Sequence, residues 1–307
     1  MNAPRRQPRR QVDGVLLLDK PLGMSSNTAL QAARRLFNAA KAGHTGTLDP
    51  LATGLLPLCF GEATKFAGEL LHADKAYRAT VRLGIATDTA DAEGAVISQC
   101  EVDVSETQLQ DVLQRFRGDI EQLPPMYSAL KRDGKPLYEY ARQGIELERP
   151  LRQVTIFKLE LLSFDGRDAV IDVDCSKGTY IRTLAADIGA ALGCGAHLQA
   201  LRRTRVAGLA VGQAVTLDAI EALPASDRAA LLAPLDALVA DLPQAQLGSG
   251  DSARMRHGQA IPWSGRAGER LRMFSSDQCF LGVGTVTAEG LLQAQRLVAE
   301  SRLPDAP

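Results

Sequence analysis

The order in which strand-like and helix-like segments follow one another limits this chain's folding options more than any other feature. Lys75 to Leu83 alternates strictly, with Tyr77, Ala79, Val81 and Leu83 on one face and Arg78, Thr80 and Arg82 on the other, predicting a half-buried strand. A second strand runs through Ala169, Ile171, Val173 and Cys175. Past Lys177 and Gly178, the residues Ile181, Leu184, Ala185, Ile188 and Leu192 recur at helical spacing until Gly193 ends the helix. Upstream, the apolar run Gly14 to Leu18 reads as a strand, and Ser25 and Ser26 can cap a helix carrying Leu30, Ala33 and Phe37. Strands and helices do not alternate regularly enough for a doubly wound parallel sheet. An α+β domain on a mixed or antiparallel sheet is expected, over residues 13–243.

The chain's 307 residues exceed what one compact core usually holds, so a second, smaller unit is expected. Gln244 to Gly250 reads as a linker, and the runs Leu271 to Phe274, Phe280 to Val286 and Leu291 to Val298 predict a small β-rich domain at 250–307. Leu217 to Asp241, rich in Ala and Leu, is expected to be helical. Gly43 to Gly61, dense in Gly, Thr, Pro and Leu, is expected to form an ordered loop with short helical pieces.

Residues 1–12 read as a disordered basic arm, because no apolar stretch follows them as a secretory signal would require. No apolar run approaches the roughly 20 residues needed to cross a bilayer. Five dispersed cysteines without C-x-x-C spacing argue against a disulfide framework and a structural zinc site, and fit a reducing cytoplasm. The net charge of −1 is segregated: acid in Asp88, Asp91, Glu93, Glu101, Asp103 and Glu106, base in Arg5 to Arg10, Lys131 to Lys135, Arg142 to Arg152 and Arg202 to Arg205. Local positive potential of that kind suits phosphate contact, although scattered solvated faces would give the same counts.

The chemistry concentrates in Ala42 to Lys65, AGHTGTLDPLATGLLPLCFGEATK. Gly43, Gly46 and Gly54 permit unusual backbone angles, Pro50 and Pro57 stiffen the path, and one carboxylate, Asp49, lies between Leu48 and Pro50. A phosphate-binding loop of the Gly-x-x-x-x-Gly-Lys-Ser/Thr type is absent, and His44 and Asp49 have no nearby third metal ligand. Taken alone, such an Asp serves equally to cap a helix or close a turn.

Gly43 to Pro57 resembles the signature loop of the TruB family of tRNA pseudouridine synthases. Further blocks resemble that family in the same order: Asp19 to Gly23, Gly61 to Lys65, Ala76 to Ala79, Pro124 to Ala129 and Gly178 to Arg182. The resemblance is firm from about Val15 to Leu209 and loose beyond it, where the β-rich tail is similar to a PUA-type RNA-binding module.

The resemblance implies cofactor-free and metal-free conversion of the T-loop uridine conventionally numbered 55 in tRNA to pseudouridine. The bond from ribose to the uracil nitrogen breaks, the base turns, and a carbon–carbon bond forms. By the same resemblance Asp49 is the catalytic carboxylate, and attack on the sugar, attack on the base and removal of a sugar proton all remain open for it. Arg182 pairs with Asp49; Tyr77 and Tyr180 wall the base pocket; Lys20 and Leu201 line it; His44 stacks in the RNA or fills the gap left by the extruded base.

Each of these has a plainer alternative: a core tyrosine, a surface arginine, a hydrogen-bonding loop histidine. Lys131, Arg132, Lys135 and Arg142, interleaved with Tyr127, Tyr138 and Tyr140, are expected to grip the RNA from an insertion at about 124–152. The expected partner is the tRNA T-arm, with no protein partner and a monomeric enzyme. Two other classes compete: a tRNA-binding chaperone without chemistry, and a nucleoside hydrolase, which lacks its second carboxylate here.

Overall fold

The computed structural model describes residues 8–299, so most of the basic arm at 1–12 lies outside the described residues. A ten-stranded sheet forms the body. Its order is Leu232–Ala233, Gly14–Lys20, Ala52–Phe60, Ala196–Val206, Lys75–Leu83, Asp168–Cys175, Arg152–Phe164 and Gly118–Gln122, with Ala42–His44 and Leu209–Ala210 pairing off this path. Among the described residues, every strand pair of this sheet is antiparallel except one: Ala52–Phe60 runs parallel to Ala196–Val206. The sheet is therefore mixed, with helices beside it, as the segment order predicts.

Burial along each strand follows from what covers it. The Gly14–Lys20 strand is buried on both faces: Leu16 and Leu18 join the core under the Ser26–Leu36 helix, Val15 and Leu17 a second core on the reverse side. That is why its sequence is a continuous apolar run rather than an alternating one. Lys75–Leu83 alternates because its reverse side faces water, where Arg78 pairs with Asp172 at 2.8 Å and Arg82 with Asp168 at 2.6 Å. The Ile181–Ala191 helix packs Ile181, Leu184, Ala185 and Ile188 into the first core, and Gly193, with φ 78°, turns the chain after it. Ser25 caps the first helix by accepting from the Thr28 N–H.

Three expectations are corrected. The segment expected as a loop with helical pieces contains the nine-residue strand Ala52–Phe60, almost wholly buried. Burial on both faces removes the alternation, and Gly54 and Pro57 disguise what remains. Leu217 to Asp241 is not one helix: the Leu217–Ala222 helix stops before Pro224, and beyond it stand short 3-10 turns and the two-residue strand Leu232–Ala233. Leu223 is already extended, at ψ 144°, as a residue preceding proline prefers.

Gln244 to Gly250 is not a linker. Gln244–Gln246 is a strand pairing parallel with Arg270–Phe274, and Ser249 begins a helix to Arg256.

The second sheet has the order Gln244–Gln246, Arg270–Phe274, Phe280–Val286, Leu291–Leu297, Ile261–Pro262. It is docked rather than tethered. Phe280 stacks near Phe66 of the larger sheet's reverse core at 5.4 Å, and Arg270 forks onto Glu69 at 2.7 and 2.9 Å. Arg272 reaches Asp236 at 3.0 Å.

The parallel seam admits no side chain at residue 54. Gly54 has φ 96°, and a Cβ there would stand 2.3 Å from the Arg203 carbonyl oxygen and 2.9 Å from its nitrogen. Gly54→Ala should destabilise the protein by about 2 kcal/mol or more in urea unfolding, given typical costs of backbone strain and forced contact. A loss below about 0.5 kcal/mol, the ordinary range for a surface change, would contradict the packing at this seam.

Candidate active site

The loop between the Ala42–His44 and Ala52–Phe60 strands carries Asp49, and nearly every residue of it is tied down. Thr45 donates its N–H to the Pro57 carbonyl at 3.2 Å, and Gly46 donates to His44 Nδ1 at 3.4 Å. Ser26, at the start of the first helix, both donates to the Leu48 carbonyl (2.9 Å) and accepts from the Leu48 N–H (2.7 Å). Gly23 donates its N–H to the Pro50 carbonyl at 2.8 Å. A loop anchored at 45, 46, 48 and 50 presents residue 49 in one orientation.

Arg182 meets it there. Lying in the first turn of the Ile181–Ala191 helix and 5% exposed, it places Nε 3.1 Å from Asp49 Oδ2 and Nη1 3.3 Å from Asp91 Oδ2. Its remaining donors go to the carbonyls of Thr89 and Tyr127. Asp91 is buried and accepts at Oδ1 from the Thr89 hydroxyl (2.6 Å) and the Glu93 N–H (3.1 Å). Asp49 keeps a side-chain exposure of 41%, yet the cleft walls strip it of enough water that burial raises its pKa above the ordinary aspartate value. Arg182 opposes that shift, Asp91 adds to it, and Lys20 opposes it more weakly.

Two cavities meet at this pair. The larger, about 740 Å³, is lined by His44, Asp88, Asp91, Tyr138 and Arg142 among others; the smaller, about 350 Å³, by Tyr77, Tyr180, Leu201, Arg203 and Lys75. Asp49, Arg182, Thr47, Leu48, Ser128 and Ala129 border both. Strand register gathers the smaller pocket's floor, since Leu201 pairs with Ala79 and Arg203 with Tyr77, and directly paired residues share a face. Tyr180 is set by Gln122, whose side chain accepts from its N–H (2.9 Å) and donates to its carbonyl (3.2 Å).

Lys20 is wholly buried, with Nζ donating to the carbonyls of Pro21 and Met24 at 2.8 and 2.6 Å. Burial lowers its pKa to about 8, against the pull of Asp49 and Glu93. Burial and the Arg203 charge lower the pKa of His44, which favours its neutral form.

Of the residues singled out in the sequence, Asp49, Arg182, Tyr77, Tyr180 and Leu201 converge on the smaller pocket, and His44 and Arg142 on the larger. Lys20, which the resemblance places in the pocket lining, borders neither cavity. Lys131, Arg132 and Lys135 do not enter either. They lie exposed on a hairpin, Lys131–Arg132 against Lys135–Pro136, closed by Asp133 and Gly134 at φ 51° and 79°. Arg142 sits over the Tyr138 ring at 5.3 Å.

Two members of the site escape sequence reasoning. Asp91 reads there as one acid in an acidic surface stretch, and Arg203 as one base in a phosphate-binding run. That run is neutralised internally: Arg202 pairs with Asp19 at 2.7 Å, Arg205 with Asp174 at 3.0 Å, and Arg203 is buried. Among the described residues, no group of three or more His, Cys, Asp or Glu side chains is placed to hold a metal ion.

Comparison with known proteins matches this architecture along the chain. Residues 34–181 match the TruB family pseudouridylate synthase N-terminal domain, 182–240 the tRNA pseudouridylate synthase B C-terminal domain, and 243–298 the pseudouridine synthase II TruB C-terminal model. A protein named tRNA pseudouridine synthase B from Azoarcus sp. (strain BH72) is 60% identical over 297 residues, covering 96% of this chain and 98% of the relative. A protein of that name from Chromobacterium violaceum is 56% identical, covering 97% and 98%.

Among solved structures, a chain of a Cbf5–Nop10–Gar1 complex superposes with a TM-score of 0.71 at 28% identity, covering 92% of this chain and 84% of that one. A chain of an H/ACA RNP bound to a substrate RNA containing 2′-deoxyuridine gives 0.71 at 25% identity, covering 93% and 85%. With three consecutive family matches and relatives this similar over nearly their whole length, the chain belongs to the TruB family of pseudouridine synthases.

Proposed function

We propose that this protein isomerises uridine 55 in the T-loop of tRNA to pseudouridine, with Asp49 as its single catalytic carboxylate. The observation that carries the reading is the position of the Asp49–Arg182 pair, on the shared border of a small pocket walled by two tyrosines and a larger open cavity. The small pocket receives the extruded uracil between Tyr77, Tyr180 and Leu201. The larger cavity takes the neighbouring RNA, and Asp49 faces the sugar between them. Extrusion costs a few kcal/mol. Contacts from Lys131, Arg132, Lys135 and Arg142 to the RNA offset it, and His44 fills the space the base leaves.

The reaction is balanced without a cofactor: the C1′–N1 bond breaks, C1′ bonds to C5, a proton leaves C5, and N1 gains one. Attack on the sugar, attack on the base and removal of a sugar proton all need an ionised oxygen where Asp49 stands, and Arg182 keeps it ionised. The protein acts as a monomer in the cytoplasm, and its C-terminal sheet serves as a PUA-like RNA-binding unit beside the T-arm.

Incubating wild type and Asp49→Ala with an unmodified tRNA transcript, followed by carbodiimide labelling and primer extension, tests both residue and position. Wild type alone should give a T-loop stop. Asp49→Ala should bind tRNA as tightly as wild type, whereas Lys131→Ala with Lys135→Ala should weaken binding and lower its salt slope by about one per lost phosphate contact. Tight binding by wild type without any stop would favour the tRNA chaperone instead.

The pH dependence follows from the same charges. Activity requires ionised Asp49, so it falls as pH drops through a folded pKa lying above the ordinary aspartate value. Lys20 holds that pKa down, and Lys20→Met should move the acid limb of the single-turnover rate to higher pH. The two proteins should converge as pH rises past both acid limbs, where Asp49 is ionised in each. A limb that stays in place or moves to lower pH would rule out this coupling.

A further inference from the structure

Arg203 is the second buried guanidinium of the site, 2% exposed, and its partners differ in kind from those of Arg182. Nε donates to the Leu55 carbonyl at 2.8 Å, Nη1 to Thr47 at 3.5 Å and Nη2 to Gly46 at 3.4 Å. These carbonyls lie on both sides of Asp49 in sequence. The same guanidinium lies against the Tyr77 hydroxyl, the cross-strand partner of Arg203 on the shared face. Among the described residues no carboxylate pairs with it, so a full positive charge is buried against carbonyl dipoles and one phenol.

Burying a cation without a counter-ion is costly, and a neutral donor could satisfy three carbonyls at less expense. What a neutral donor could not do is span them. The planar fork reaches three carbonyls and a phenol at once because its donors diverge in fixed directions. The bonds to Gly46 and Thr47 are long and individually weak, so the Leu55 bond at 2.8 Å anchors the clasp and the other two limit where the loop can lie. The cation also opposes the effect of burial on the Tyr77 phenol, whose pKa burial raises.

We propose that Arg203 is a positioning residue for the isomerisation: one buried guanidinium ties the start of the Asp49 loop, at Gly46 and Thr47, to Leu55 in the strand that leaves it and orients the Tyr77 hydroxyl, setting carboxylate and phenol relative to each other across the base pocket. This rests on the pseudouridine synthase reading above. It adds a residue that lines the base pocket and acts through two of its neighbours, Asp49 and Tyr77.

The test uses the full chain as wild type, Arg203→Lys, Arg203→Met, Tyr77→Phe and the Arg203→Met/Tyr77→Phe double variant. For each, the single-turnover rate of pseudouridine formation on a tRNA transcript, the tRNA dissociation constant and the thermal midpoint are measured. Arg203→Met should lower the rate about 100-fold, the usual scale for a misplaced catalytic group, while tRNA affinity stays within about threefold of wild type.

Arg203→Lys, which keeps the charge but not the fork, should recover part of the rate. On the Tyr77→Phe background, Arg203→Met should cost much less than in wild type, because part of what it positions is already gone. Strict additivity, a rate within about threefold of wild type, a loss confined to tRNA affinity, or failure of both single variants to fold would overturn the proposal. Wild type without activity in the same assay would remove the functional reading, and this proposal with it.

Discussion

Arg182 occupies a space it shares with two carboxylates and very little water. A guanidinium so placed needs acceptors for nearly all its donors, and it finds them in Asp49, Asp91 and the carbonyls of Thr89 and Tyr127. The dependence runs both ways. Burial and Asp91 push Asp49 towards its protonated form, and Arg182 is the strongest force holding it ionised. Four chain segments converge on this one cation: the Asp49 loop, the stretch around Thr89 and Asp91, the segment at Tyr127, and the helix that carries Arg182 itself. Any element that moved would leave a buried charge short of a partner.

The sheet makes this convergence possible through its single parallel pairing. Antiparallel neighbours can be joined by tight turns, but Ala52–Phe60 and Ala196–Val206 pair across nearly 150 residues of intervening chain, as the Leu201–Ala52 register shows. That seam sets the loop before Ala52 beside the strand bearing Leu201 and Arg203, and the next strand over brings Tyr77. Backbone contact at Gly54 is close enough to exclude a Cβ, which fixes how near the loop can lie. The Ser26 hydroxyl at Leu48 closes the arrangement from the helical side.

Elements buried on one face were the most legible in the sequence, although the Gly14–Lys20 strand, buried on both, still showed as a continuous apolar run. Lys75–Leu83 and the stripe of the Ile181–Ala191 helix announce themselves by period, because water on one side and core on the other force polar and apolar residues to alternate, whereas Phe280–Val286 and Leu291–Leu297 show as short β-like runs between turn residues. Ala52–Phe60, buried on both sides, carries no such period. Within the site, the loop and its aspartate stood out through glycine and proline density and through family resemblance. Asp91 and Arg203 did not, because sequence counts a charge without saying which way it points: three neighbouring arginines, 202, 203 and 205, go respectively to Asp19, into the protein interior, and to Asp174.

The account stands on the assignment of base and sugar to the two cavities that meet at Asp49. A crystal structure of Asp49→Asn bound to a T-stem-loop RNA tests it most directly. The account predicts one extruded nucleotide, with uracil between Tyr77 and Tyr180 in the smaller pocket, C1′ facing residue 49, and the hairpin at 131–136 against the RNA backbone. A stem-loop bound with its uridines still stacked, or a base lodged in the larger cavity with its ribose turned away from residue 49, would contradict it.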